Sequence, residues 1–289
     1  RNVTGVQTCA LPIFNWYNLN KRDLPWRNTT AWGVLVSEFM LQQTPVNRVQ
    51  PVWEQWMNRW PTPAHLAEAP LSDALRHWGR LGYPRRAKRL HECAQALVRE
   101  YDGEIPGDIE KLRALPGIGE YTASAISAFA FAQPCVVLDI NIRRLYARCW
   151  SGVDAPSSSP NNSERELAKS LIPPDDDGTW AAATMELGAL ICKARNPLCE
   201  ECPLSSQCLW RSLDFPLREG QQRKSQNWYG SDRQCRGVIM NALRDAESVT
   251  SSELAKLWEN QSQYEKAIAS LLDDGLIEKR GKSFSLAHS

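Results

Sequence analysis

The spacing of apolar and polar positions predicts a chain made almost wholly of helices. A patterned helical run begins abruptly at Phe14. The stretch "LRALPGIGEYTASAISAFAF" (112–131) reads as the end of one helix at Leu112 and Leu115, a tight Pro116-Gly117-Ile118-Gly119 turn, and an apolar, alanine-rich helix over 121–131. In "VVLDINIRRLYAR" (136–148) an apolar lead runs into Asp139, which can cap a helix carrying Arg143, Arg144 and Arg148. Residues 211–229 are polar and read as a linker. Beyond it the pattern predicts a helix over 232–244, one capped at Thr250 or Ser251, a third over 263–273, and two short strands around Arg280-Gly281. That order of elements is winged-helix-like.

Composition refines this picture only slightly. At 289 residues the chain exceeds one average domain, so a large core plus a smaller module is expected. Its 34 basic and 33 acidic residues nearly cancel, so contact with a polyanion must come from local patches. No apolar run approaches the roughly 18 residues of a membrane helix, and no tract is low in complexity. The protein is expected to be cytoplasmic and monomeric, with no membrane partner. Among twelve tryptophans, Trp16, Trp26, Trp32, Trp53, Trp56 and Trp60 crowd one segment as core or groove-wall residues. Residues 3–13, "VTGVQTCALPI", resemble the translation of a sequencing adapter; the expectation is that residues 1–13 are foreign to the fold and that Cys9 carries no meaning.

Candidate chemistry starts with the cysteines. Cys93, Cys135, Cys149 and Cys235 lie among apolar residues and read as small buried hydrophobes. Cys192, Cys199, Cys202 and Cys208 form C-x6-C-x2-C-x5-C. A disulfide framework would suit a small secreted domain, and structural zinc usually takes two close pairs; one pair with two outlying cysteines favours a [4Fe-4S] cluster, with zinc the alternative. The Gly117 and Gly119 turn is a helix-hairpin-helix, whose backbone N–H groups can meet a DNA phosphate without reading sequence; an ordinary helical turn could look the same. For Asp139 alone, capping is the simpler reading.

Taken together, the hairpin, an aspartate about twenty residues beyond its turn and the four-cysteine loop resemble the iron–sulfur branch of the helix-hairpin-helix DNA glycosylases. Within it, "RDLPWR" (22–27), "SEFMLQQTPV" (37–46), "LGYPRRAKRL" (81–90) and "MELGALIC" (185–192) look like the MutY-type adenine DNA glycosylase family, in the short form found in actinobacteria. The match covers roughly 14–210. It implies an all-α, two-lobed glycosylase fold over 14–210 with a cluster loop at 192–208, then a linker (211–229) and the winged-helix-like module (230–289). It also implies base excision from double-stranded DNA containing A·8-oxoguanine or A·G mispairs, in a bacterial cell where the protein would associate with the nucleoid.

The resemblance assigns roles residue by residue. Glu38, in the apolar context "VLVSEFML", would be the acid that protonates adenine, its pKa raised by desolvation, and Asp139 the ionised carboxylate facing the sugar. Tyr121 stands where the bifunctional relatives similar to endonuclease III carry a lysine; a phenol cannot form a Schiff base, so a monofunctional enzyme is expected, with Asn141 orienting the carboxylates. Arg22, Leu24, Trp26 and Arg27 would wall the adenine pocket, plain core packing being the other reading of Trp26. Leu41, Gln42, Gln43 and Tyr83 would wedge the stack and read the orphaned base. Arg85, Arg86, Lys88 and Arg89 would touch phosphates, unless they form a solvated helix face, and Lys193, Arg195 and Arg211 would do so around the cluster. Two departures stand out: Ala182 occupies a place that is often polar or acidic, and the chain after residue 210 is too short for the β-rich domain of longer members.

Overall fold

The computed structural model describes residues 3–217 and 228–288, with side chains from residue 9 onward. Helices dominate. Along the chain come α1 (Val3–Asn20), α2 (Ala31–Leu41), α3 (Val46–Arg59), α4 (Pro63–Glu68), α5 (Leu71–Trp78) and α6 (Arg85–Tyr101). They are followed by α7 (Ile109–Ala114), α8 (Glu120–Phe131), α9 (Ile140–Ser151), α10 (Asn162–Leu171), α11 (Thr179–Leu190) and α12 (Leu209–Ser212). The C-terminal module holds α13 (Asp232–Arg244), β1 (Val249–Thr250), α14 (Ser251–Ala255), α15 (Gln261–Asp273), β2 (Ile277–Arg280) and β3 (Ser283–Leu286).

Two compact units result. The described residues of 1–34, 107–113 and 118–222 form the first, and those of 35–106, 114–117 and 223–289 the second. In the first, Ile13, Tyr17, Ala125, Ile142, Leu145, Trp180 and Leu187 share one core, and the Trp180 indole N–H donates to the buried Tyr146 hydroxyl at 2.8 Å. Glycines set its closest approaches. A Cβ at Gly188 would sit 2.5 Å from the Asn141 carbonyl oxygen, so α11 lies directly on the first turn of α9. Helix α1 starts at Val3 rather than at Phe14, and Cys9, Ala10 and Ile13 are buried, with the Cys9 thiol donating to Gln207. The expectation that Cys9 has no structural part does not hold: apolar side chains at these positions complete the face that α1 lays on the core.

In the second unit, tryptophans build the core edge to face, with Trp56 4.7 Å from Trp60 and 5.5 Å from Trp78. The C-terminal module is winged-helix-like, with strand order β1-β3-β2, all antiparallel. Thr250 caps α14 through a full capping box with Glu253, and Asn260 caps α15, which starts two residues earlier than the apolar pattern indicates. The module shares a unit with 35–106 through bonds such as Arg244 Nε to the Leu75 carbonyl (3.1 Å) and Leu71 N–H to the His288 carbonyl (3.1 Å). The expected linker begins later than residue 211, because α12 runs to Ser212 and the Trp210 indole reaches back to the Pro216 carbonyl at 2.9 Å. Residues 218–227 of that linker lie outside the described residues.

Candidate functional site

Helix α9 begins at Asp139, whose carboxylate accepts from the Ile142 N–H (2.6 Å) and the Asn141 side-chain amide (2.7 Å). It is therefore the helix cap that the simpler reading expected, and its second oxygen is held by Asn141. Burial pushes its carboxyl up from the ordinary range, while those two bonds and the Arg144 guanidinium favour the charged form. Arg144 donates to Asn141 Oδ1 (2.8 Å), to the Gly188 carbonyl (2.7 Å) and to the Cys192 carbonyl (2.7 Å). A continuous hydrogen-bonded path thus joins Asp139 to the first cysteine of the loop. Tyr121, on the first turn of α8, packs against the same core.

Around the cysteine loop the geometry is that of one pocket. Cys192, Cys199, Cys202 and Cys208 line a single cavity with Cys149 and Arg148. Arg148 is buried; it donates to the Lys193 carbonyl (2.7 Å), lies 3.7 Å from Cys192 Sγ, and stacks over Trp210 at 4.3 Å. A hydrogen bond from the Cys149 thiol, together with backbone N–H groups of α12, holds the Cys208 thiol down to about 6. Cys149 is thus more than the buried hydrophobe its sequence context suggests. Lys193 and Arg195 are exposed, and Arg211 pairs with Glu200 at 2.9 Å.

Next to α1, the turn Pro25–Arg27 buries Leu24 and Trp26. Arg22 and Arg27 flank it, and both pair with Glu186 of α11, at 2.7 and 3.0 Å. Glu186 is buried, yet the Arg22 and Arg27 contacts outweigh that burial and hold its carboxyl below the usual range. The family likeness of 185–192 assigns Glu186 no role; its one sequence signal is a lone carboxylate in the apolar run "TWAAATMELGAL".

The second unit carries Glu38 on α2, only 5% exposed, and the turn after that helix. Leu41 ends α2, Gln42 is half-buried, and Gln43 and Tyr83 are exposed with φ of 55° and 48°, a left-handed backbone that non-glycine residues seldom adopt. Arg86 explains how both turns hold. It is buried and donates to the carbonyls of Phe39 (3.0 Å), Met40 (2.8 Å), Gln42 (2.6 Å), Leu81 (3.3 Å) and Gly82 (3.0 Å), and to Thr44 Oγ1 (2.9 Å). Arg86 is not placed as a phosphate contact, since it is buried and both its terminal nitrogens are engaged inside the protein. Lys88 is half-buried, and its ammonium donates to the Asp274 carbonyl at 3.0 Å. Arg85 and Arg89 remain outward. In the hairpin, Gly117 takes φ +79°, and a Cβ there would lie 2.8 Å from Arg89 and Phe39 side-chain atoms, whereas Gly119 caps α8 facing open space.

Comparison with known proteins agrees with this geometry. Residues 36–173 match the model for the "HhH-GPD superfamily base excision DNA repair protein", and 192–208 that for the "Iron-sulfur binding domain of endonuclease III". Over 95% of its length the chain is 47% identical to an adenine DNA glycosylase of Mycolicibacterium smegmatis, covering 94% of that protein. The chain belongs to the adenine DNA glycosylase family. A second member, from Mycobacterium tuberculosis, is 45% identical over 92% of the chain and 89% of its own length. Among solved structures, a thermostable thymine-DNA glycosylase superposes with TM-score 0.66 and 26% identity, over 72% of this chain and 97% of that one.

The residues of the loop fit the [4Fe-4S] cluster of the family. Four thiols share one cavity, and two buried arginines offset thiolate charge. Four-thiolate ligation leaves the iron no open position for hydrolysis, so the cluster ties a loop.

Proposed function

We propose that the chain excises adenine mispaired with 8-oxoguanine or guanine in double-stranded DNA and leaves an abasic site. The observation that carries this reading is the 47% identity across 94% of a curated adenine DNA glycosylase, in a chain that keeps both carboxylates, Glu38 and Asp139. Glu38 gives its proton to adenine N7, the C1′–N9 bond breaks with its electron pair leaving on the base, and the ionised Asp139 faces the positive charge developing on the sugar. Water then adds to C1′ and releases a proton. Asn141 holds Asp139 for that role, Tyr121 shapes the sugar side, and Leu24 and Trp26, fixed by Arg22, Arg27 and Glu186, wall the base pocket. Leu41, Gln42, Gln43 and Tyr83 fill the gap and contact the orphaned base. Gly117 and Gly119 bring backbone N–H groups to a phosphate, and Arg85 and Arg89 supply outward charge.

The test is strand scission by alkali after incubation with duplexes pairing A with 8-oxoguanine, G or C, beside T·G. Release of adenine, without a borohydride-trapped adduct, is the expected outcome. Likeness to the thymine-DNA glycosylase makes excision from T·G the second reading, and thymine release with intact adenine would replace the first by it.

A further inference from the structure

A groove of about 990 Å³ opens within the second unit between residues 79–85 and α13. Its walls carry six arginines, Arg48, Arg80, Arg85, Arg233, Arg236 and Arg244, and no carboxylate, in a chain whose formal net charge is +1. Asp274 accepts from Arg85 and Arg236 and offsets one of these charges, and Arg244 is engaged with the Leu75 carbonyl and Asn241, which leaves Arg48, Arg80 and Arg233 as the groove's other exposed cations. Two glycines keep the walls low: a Cβ on Gly82 or Gly237 would meet nothing within 4 Å. Aromatic faces stand beside the charge. The Arg233 guanidinium lies 4.8 Å over the ring of Tyr83, itself 41% exposed, and Trp228 is half exposed in the same lining. Cations along an open channel, with aromatic surfaces beside them, suit a nucleic-acid backbone with an unstacked base next to it.

We infer that this groove holds the phosphodiester backbone of the DNA strand carrying the base left unpaired when adenine is extruded, with Arg233 contacting a phosphate beside Tyr83. The choice of strand rests on the adenine-excision reading above, because Gln43 and Tyr83, which would meet the orphaned base, belong to the same walls. The C-terminal module thereby gains a part: α13, rather than its wing, completes the DNA track of the second unit.

The experiment is equilibrium binding of the full-length, cluster-loaded protein to a duplex with an uncleavable tetrahydrofuran abasic analogue, over about 50 to 200 mM salt. Arg233→Ala should weaken binding by about three- to tenfold and reduce the slope of log K against log salt by about 1, while Arg280→Ala, on the wing, should match wild type. Gly237→Glu should weaken binding and Gly237→Lys should not, although both place a side chain in open space. Neutral methylphosphonate linkages flanking the unpaired base should lower wild type to the level of Arg233→Ala; in the other strand they should weaken both proteins alike. An unchanged slope in Arg233→Ala, equal losses in the two Gly237 variants or in Arg280→Ala, or coupling to the excised strand would each overturn the assignment. Because this binding needs no excision, its failure is separate from failure of the adenine reading, which the scission panel reports.

Discussion

Helix α6 turns Arg86 into the second unit and leaves Arg85 and Arg89 outside, whereas α9 turns Arg143, Arg144 and Arg148 all into the first. Both helices carry dense basic runs. In each, an inward guanidinium gathers carbonyls from a neighbouring loop, which a planar fork of five donors does and an ammonium cannot. The loops differ in what else holds them. Arg86, with lesser help from Trp78 and Thr44, holds the turns that place Gln43 and Tyr83 in left-handed backbone, while the loop bonded by Arg144 and Arg148 is also tied by four thiolates. A basic run is therefore read by burial: inward arginines shape loops, and only outward ones are open to the phosphate contacts proposed above.

The sharpest way to break this comparison is Arg86→Ala. Five carbonyls and Thr44 Oγ1 each lose a donor, so a loss of about 3 kcal/mol or more in unfolding free energy is expected from denaturant titration, with Arg86→Lys recovering little. The slope of DNA affinity with salt should stay at the wild-type value, since no phosphate contact is removed; a drop of about one would return Arg86 to the DNA surface. Arg144→Ala should cost less, about 1 to 2 kcal/mol, while the cluster remains, and more once iron is stripped, because the second tie is then gone. Equal losses with and without iron would show that the two ties do not share the load.

A smaller effect concerns pH. Burial raises the Asp139 carboxyl, and the Asn141 amide partly restores its charged form. An essential ionised carboxylate makes the excision rate fall as pH drops through its pKa, so Asn141→Ala should move the acid limb of the single-turnover profile to higher pH. A limb that stays in place would remove Asn141 from this role.

Helix periodicity made α9 and α13 legible because each has a clear apolar face and a capping residue at its start, α8 was legible as an apolar, alanine-rich run after a Pro-Gly turn, and the cysteine spacing marked the loop. Glu38, Asp139 and the "LQQT" and "GY" segments were found through the family likeness more than through their chemistry. The direction of an arginine was not legible. Arg85, Arg86, Lys88 and Arg89 are equivalent in composition, and only the helical phase against Phe39–Thr44 decides which of them turns inward. Glu186 was missed for a similar reason, since its two arginines lie more than 150 residues away. Cys149 and Arg233 gained their parts from elements distant in sequence, the cysteine loop and the Tyr83 turn.

Single-turnover adenine excision by Glu38→Gln, with duplex affinity measured on the same preparation, tests the central claim most directly. A glutamine fills the same space and cannot give the proton, so the rate should fall by about 10²- to 10⁴-fold while affinity stays within a few-fold of wild type. Excision at the wild-type rate would contradict the account, because adenine would then leave without the acid that α2 buries.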